Sequence, residues 1–254
     1  MRKLSADIKR VADEVAEVGR KEGVETGRRA LVEGLRRLFK EREREALNAG
    51  RRDEALTIAV AGRLLLDLVN SQWEWLSLLV GDGTVDIGGK TFGFTAKYAK
   101  VAETVLHLLK VWAGAYEAEI RVKERAAMYS SAEDVAKVLR ALLTGDVLGH
   151  AISLAKSWSG LAGSNAPKLI SLLALAQLLG VVKDRWAVEL WLAHKAATTL
   201  TPPNAAKALE GLLARVESVD KAKWEKEGGI NVYFRLRGVE NNSRAAVFRL
   251  HQIS

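Results

Sequence analysis

The chain has no cysteine, only three prolines and two methionines, and no long uninterrupted apolar run. Without cysteine there is no disulfide and no thiolate metal site. The four histidines, His107, His150, His194 and His251, are scattered without the close spacing that a zinc site needs. The most apolar stretch, LISLLALAQLLGVV from Leu169, is too short to span a bilayer and contains Gln177. The beginning, MRKLSADIKR, goes straight into a charged amphipathic pattern rather than a secretory apolar core, so a cytoplasmic protein is expected. Scarce Met and Cys with abundant Arg and Glu fit a thermophilic origin.

What is present is a globular composition: 254 residues, 48% hydrophobic and 28% charged, enough for one large core or two modest ones. The net charge of +8 suits a polyanionic partner as well as simple solubility.

Residues 1–70 read as basic helices. Leu4, Ile8, Val11, Val15 and Val18 recur at three- and four-residue steps, and Leu31, Leu35 and Leu38 form a second stripe. Gly23 and Gly50 mark the breaks. Arg28, Arg29, Arg36, Arg37, Arg51 and Arg52 alternate with glutamates, the pattern of a solvated helix face.

From residue 71 the texture changes. Ser71 and Glu74 form a capping box that starts a helix at Gln72, and this helix stops at GDG. TVDI and KTFGFT read as two strands joined at Gly88-Gly89, followed by a helix over KYAKVAETVLHLLKVW. YEAEIRVKER alternates as one strand, with Tyr116, Ala118, Ile120 and Val122 on one face and Glu117, Glu119, Arg121 and Lys123 on the other. Ser131 caps a further helix, AEDVAKVLRALL. Asn165 and Pro167 open another, PKLISLLALAQLLG. RWAVELWLAHKAAT reads as strand, NAAKALEGLLARV as helix, and the end as a hairpin around Asn241-Asn242.

GGKT, Gly88 to Thr91, is not a phosphate loop. That loop needs a glycine where Thr84 stands, and a strand before and a helix after, the reverse of the order here. The halves do align, however. LSLLVGDGTVD from Leu76 falls on LALAQLLGVVK from Leu173, AKVAE from Ala99 on AKALE from Ala206, and IRVK from Ile120 on FRLR from Phe234. Three matches in one order, each on the same type of element, point to a duplication.

Residues 75–83, ending in GDG, resemble the LAGLIDADG motif of homing endonucleases, and the element order and two-copy chain resemble that family too. The resemblance covers roughly residues 71–254. It implies an α+β fold: a helical region over 1–70, a first saddle copy over 71–160 and a second over 161–254, related by a pseudo-twofold axis within a monomer. It implies close helix packing at Ser77, Gly81, Ala174 and Leu178, and Asp82 as the catalytic carboxylate that binds Mg²⁺ where cleavage occurs. It implies that outward residues of the sheet contact double-stranded DNA: Arg121, Lys123, Arg125, Lys195, Tyr233, Arg235, Arg237 and Arg249. The second copy departs from the pattern, with Leu179 where Asp82 has its counterpart and Leu178 opposite Gly81. A duplex DNA-binding protein with impaired or lost cleavage is therefore expected. The alternatives are an active Mg²⁺-dependent endonuclease and a helical protein-interaction module. The texture is also similar, without a shared motif, to crenarchaeal PaREP-type repeat proteins, a hint of mobile-element origin.

Overall fold

The computed structural model describes residues 2–86, 89–157 and 165–183. The chain divides at 147/148 into two units, and α7 straddles the division. Unit 1 carries α1 (Arg2–Glu22), α2 (Val24–Asn48), α3 (Arg52–Asn70), α4 (Gln72–Asp82), β1 (Gly83–Asp86), β2 (Thr91–Thr95), α5 (Ala99–Trp112), β3 (Ile120–Lys123), β4 (Ala126–Tyr129) and α6 (Ala132–Leu142). It is followed by α7 (Gly145–Ser157) and, in unit 2, α8 (Asn165–Leu178). The protein is α+β, mostly helical with one small antiparallel sheet. Among the described residues no single helix is long and apolar enough to cross a membrane.

The first three helices form where the apolar stripes predict them. Ile8, Val11 and Val15 are buried on α1, with Leu4 and Val18 half-buried at its ends. Leu31, Leu35 and Leu38 are buried on α2, each stabilising the fold by roughly 1.5–3 kcal/mol. The breaks fall at Gly23 and Gly50, whose φ values of 94° and 71° disfavour any side chain. The two serine caps are also in place. The Ser71 hydroxyl accepts from the Glu74 amide at 3.2 Å, and the Ser131 hydroxyl accepts from the Asp134 amide at 3.1 Å.

Unit 1 is layered. The sheet has the order β1-β2-β4-β3, every neighbouring pair antiparallel. Its inner face meets α5, where Phe92, Phe94, Ala127 and Tyr129 are buried. Phe92 and Tyr129 meet edge to face at 5.1 Å, and the Tyr129 hydroxyl donates to the Leu106 carbonyl at 2.9 Å. Burial of that phenol raises its pKa. On its far side α5 packs against α1 and α2. Lys9 reaches Glu103 at 3.1 Å, and Arg28 donates from Nε to the Trp112 carbonyl at 2.7 Å while lying over the indole ring. The basic helices thus share one unit with the motif-bearing segment.

One element differs from its sequence reading. Residues 116–125 are not a single strand: β3 covers only Ile120–Lys123, a turn follows at Glu124–Arg125, and β4 pairs back onto β3. The alternation that extends back to Tyr116 belongs to a turn whose Ala118 is nonetheless buried.

Candidate functional site

The motif helix α4 is one-sided. Trp75, Leu76, Leu79 and Val80 are buried, whereas Trp73, Glu74, Ser77 and Asp82 are exposed. Its last residue is Asp82, and Gly83 begins β1 without an intervening loop. The reason for glycine there is steric. Gly83 has an ordinary extended conformation (φ −67°, ψ 154°), but a Cβ would stand 2.2 Å from the Leu79 carbonyl oxygen. Strand and helix end can join so tightly only at a residue without a side chain. Among the described residues the Asp82 carboxylate has no hydrogen-bond or ion-pair partner, and it places a negative charge at a helix C-terminus, where the helix dipole disfavours it.

The strand register assigns the second component. Across the sheet the row Gly83, Phe94, Ala127 and Val122 lies on the α5 side, buried except at Val122 on the edge strand, which is 44% exposed. The alternate positions form the opposite face: Thr84, Asp86, Thr91, Gly93 and Thr95 on β1 and β2, Ala126 and Met128 on β4, Arg121 and Lys123 on β3. Thr84, Thr95, Arg121 and Lys123 are exposed. This face carries hydroxyls on β1 and β2 and two cations on the edge strand β3, with Ala126 and Met128 of β4 between them. Asp86 at the other edge is occupied in the hairpin, where its carboxylate accepts from the Gly89 amide at 3.1 Å. Arg125 is exposed in the β3–β4 turn rather than on a strand, with its carbonyl accepting from Ala96 at 3.0 Å.

Asp82 and the two cations lie at opposite edges. β1 and β3 are separated by two strands, so Asp82 and Lys123 stand roughly 14 Å apart at ~4.8 Å per strand. A carboxylate at one rim and cations at the other can span a groove but cannot act on one atom together.

In unit 2, Ala174 is fully buried on α8, Leu178 is 42% exposed at its end, and Leu179 is half-buried in the turn beyond. In unit 1, Ser77 is exposed and Gly81 half-exposed, and a Cβ on Gly81 would meet no atom within 4 Å. Lys195, Tyr233, Arg235, Arg237 and Arg249 lie outside the described residues, as do Ile87 and Gly88 of the hairpin turn.

The donor set does not fit a protein-held Mg²⁺. That cation takes six oxygens at fixed geometry, usually including one or two carboxylates. Asp82 offers one, Leu179 none, and no group of three metal-binding side chains occurs among the described residues. Nor does the buried histidine supply acid–base chemistry at the sheet. Desolvation first, then the Lys110 and Lys9 charges, lower the His107 pKa to about 4, so it is neutral at pH 7 and lies beneath α1.

Sequence reasoning missed the threonines of the open face. The signal was there: in TFGFT the two phenylalanines alternate with Thr91, Gly93 and Thr95, which fixes the faces once the hairpin is recognised. Comparison of the chain with protein-family models, curated proteins and solved structures finds no match.

Proposed function

We propose that the protein binds duplex DNA on the open face of the four-stranded sheet, as a degenerate two-copy relative of the LAGLIDADG endonucleases that has lost double-strand cleavage. One observation carries the reading: the register sets Arg121 and Lys123 on the same open face as three threonines, opposite the face that buries Phe92, Phe94 and Tyr129. Cations fix the phosphate backbone, and hydroxyls donate to phosphates or base edges. The order helix, two strands, helix, strands, helix supports the duplicated-saddle reading, and the +8 net charge supports a polyanionic ligand. The loss of cleavage follows from the single acid: Asp82 has Leu179 as its counterpart, and cutting both strands through metal-bridged carboxylates needs an acid from each copy.

The test is a titration of labelled duplex at several salt concentrations. The affinity is expected to fall linearly in log[salt], and R121Q/K123Q/R125Q should reduce the slope by about 2–3. Binding that ignores salt, or a triple variant with the wild-type slope, overturns the assignment to this face. Plasmid linearisation in Mg²⁺ that is abolished by Asp82→Ala overturns the loss of cleavage.

A further inference from the structure

We propose that the outward ridge of α2 is a second phosphate-binding surface, which takes the backbone of a DNA duplex other than the one seated on the sheet. Helix α2 carries seven cations and five acids, and the structure sorts them. Arg28, Arg36 and Arg42 are each paired: Arg28 with Glu25 at 2.7 Å, Arg36 with Glu33, and Arg42 with both Asp7 and Glu45 at 2.6 Å. Arg29, Arg37, Lys40 and Arg44 are exposed and meet no carboxylate among the described residues.

The unpaired four are not scattered. At 100° per residue they fall within one quadrant of the helix, directly opposite the buried Leu31, Leu35, Leu38 and Phe39; Glu33 shares the quadrant, but its carboxylate is taken by Arg36. From Arg29 to Arg44 the ridge runs about 22 Å at 1.5 Å per residue. A duplex presents six or seven phosphates per strand over that length, at roughly 3.4 Å each. An arginine face serving only solubility would be expected to pair with the glutamates of its own helix, as Arg36 does; four cations left open along one line suit a regular polyanion.

The ridge suits DNA rather than a lipid surface. A helix that lies in a membrane interface needs an exposed apolar face to insert. On α2 that face is buried in the core, and only Leu47, beyond the end of the ridge, is an exposed large aliphatic.

The layer order makes this a separate site. The sheet covers one side of α5, and α1 and α2 cover the other. Helix α2 packs on α1, α3 and α5 rather than on the strands, so the ridge, opposite its buried face, belongs to a different surface from the open face of the sheet. The grip itself rests only on α2; that its duplex is a second one rests on the function proposed above.

The experiment measures duplex-to-protein stoichiometry by mass photometry, and salt slopes by anisotropy, for the full chain, for R29Q/R37Q/K40Q/R44Q and for R121Q/K123Q/R125Q. All four ridge side chains are exposed, so an unchanged melting temperature checks the fold. The expected result is two duplexes per wild-type protein and one for each variant, with the ridge contributing about 3–4 to the slope, at ~0.9 per phosphate contact. A ridge variant that keeps the wild-type stoichiometry and slope overturns the ridge and leaves the sheet standing. A sheet variant that binds as wild type, beside a ridge variant that loses all binding, keeps the ridge as a grip but overturns both the sheet reading and the second duplex. Capture on phosphatidylserine vesicles that is lost in the ridge variant, with DNA binding unchanged, assigns the ridge to lipid and overturns the proposal.

Discussion

Helices α4 and α8, which the sequence sets against one another, are built to opposite plans. On α4 the buried residues occupy one side and an acid closes the helix; on α8 the residues from Leu172 to Ala176 are all buried, and leucines close it. An all-round apolar helix is a core element, while a one-sided one is a boundary. The ends differ as well. Gly83 carries α4 into a strand in extended conformation, whereas Gly180 ends α8 with φ 68°, its amide donating to Gln177 at 3.0 Å and the next amide to Ala176 at 2.8 Å. Where α4 ends on an exposed acid, α8 ends in an ordinary helix stop.

The largest expected effect compares the aligned positions 77 and 174. Ala174→Asp places an unpaired charge where the residue is fully buried, which should cost upwards of about 4 kcal/mol and unfold unit 2. Ser77→Asp, on an exposed position, should stay within roughly 0.7 kcal/mol. Denaturant titration followed by circular dichroism, with limited proteolysis to identify the unit, measures both. Equal costs would mean that α4 also has a second buried side, and the contrast would collapse.

Next come the two terminal glycines. Gly83→Ala drives a methyl into the Leu79 carbonyl, a backbone atom that cannot rotate away, and should destabilise by about 3 kcal/mol. Gly180→Ala meets open space and suffers only from its positive φ, which should cost about 1 kcal/mol. Thermal unfolding of the pair ranks them. The reverse ranking would show that the α4–β1 junction relaxes.

Much of this was legible because the signals are local. A serine three residues before an acid writes its cap into the sequence, as at Ser71 and Ser131, and glycines between charged stripes write the breaks at Gly23 and Gly50. The β3–β4 hairpin was not legible. Its turn is Glu124–Arg125, which carries none of the Gly, Asn or Asp that announce a tight turn, and β4 is AAMY, half alanine. The alternation read over 116–125 took in the turns on both sides of β3 and made it look longer than it is, while β4 beyond it went unread. As for the site, the charges at Arg121 and Lys123 could be read from period two, but their company could not. Which threonines share their face depends on register across four strands. The unpaired ridge on α2 was likewise hidden, because sequence shows arginines among glutamates and only coordinates show which of them meet.

A smaller effect tests close packing at the motif helix. Gly81→Ala fills open space in the last turn of α4 and should stabilise by about 0.5 kcal/mol, read as a rise in denaturant midpoint. Destabilisation would mean that another surface presses on Gly81. At the aligned position, Leu178→Ala removes a side chain already 42% exposed and should cost less than roughly 1.5 kcal/mol.

The smallest effect is the most informative about Asp82. A carboxylate with no hydrogen bond and no ion pair among the described residues, at the negative end of a helix, is unfavourable by about 0.3–1 kcal/mol. Asp82→Asn should therefore raise stability by a few tenths of a kcal/mol at low ionic strength. The gain should fade with added salt, which screens an exposed charge interacting with a dipole. Unfolding curves at two salt concentrations decide it. A loss of stability would mean that Asp82 holds the α4–β1 junction together and is retained as a strut. A salt-sensitive gain would mean that the fold tolerates this acid at a small cost, as expected of a residue that serves a site rather than the fold. Leu179, at the matching place in unit 2, carries no such cost and offers no such contact.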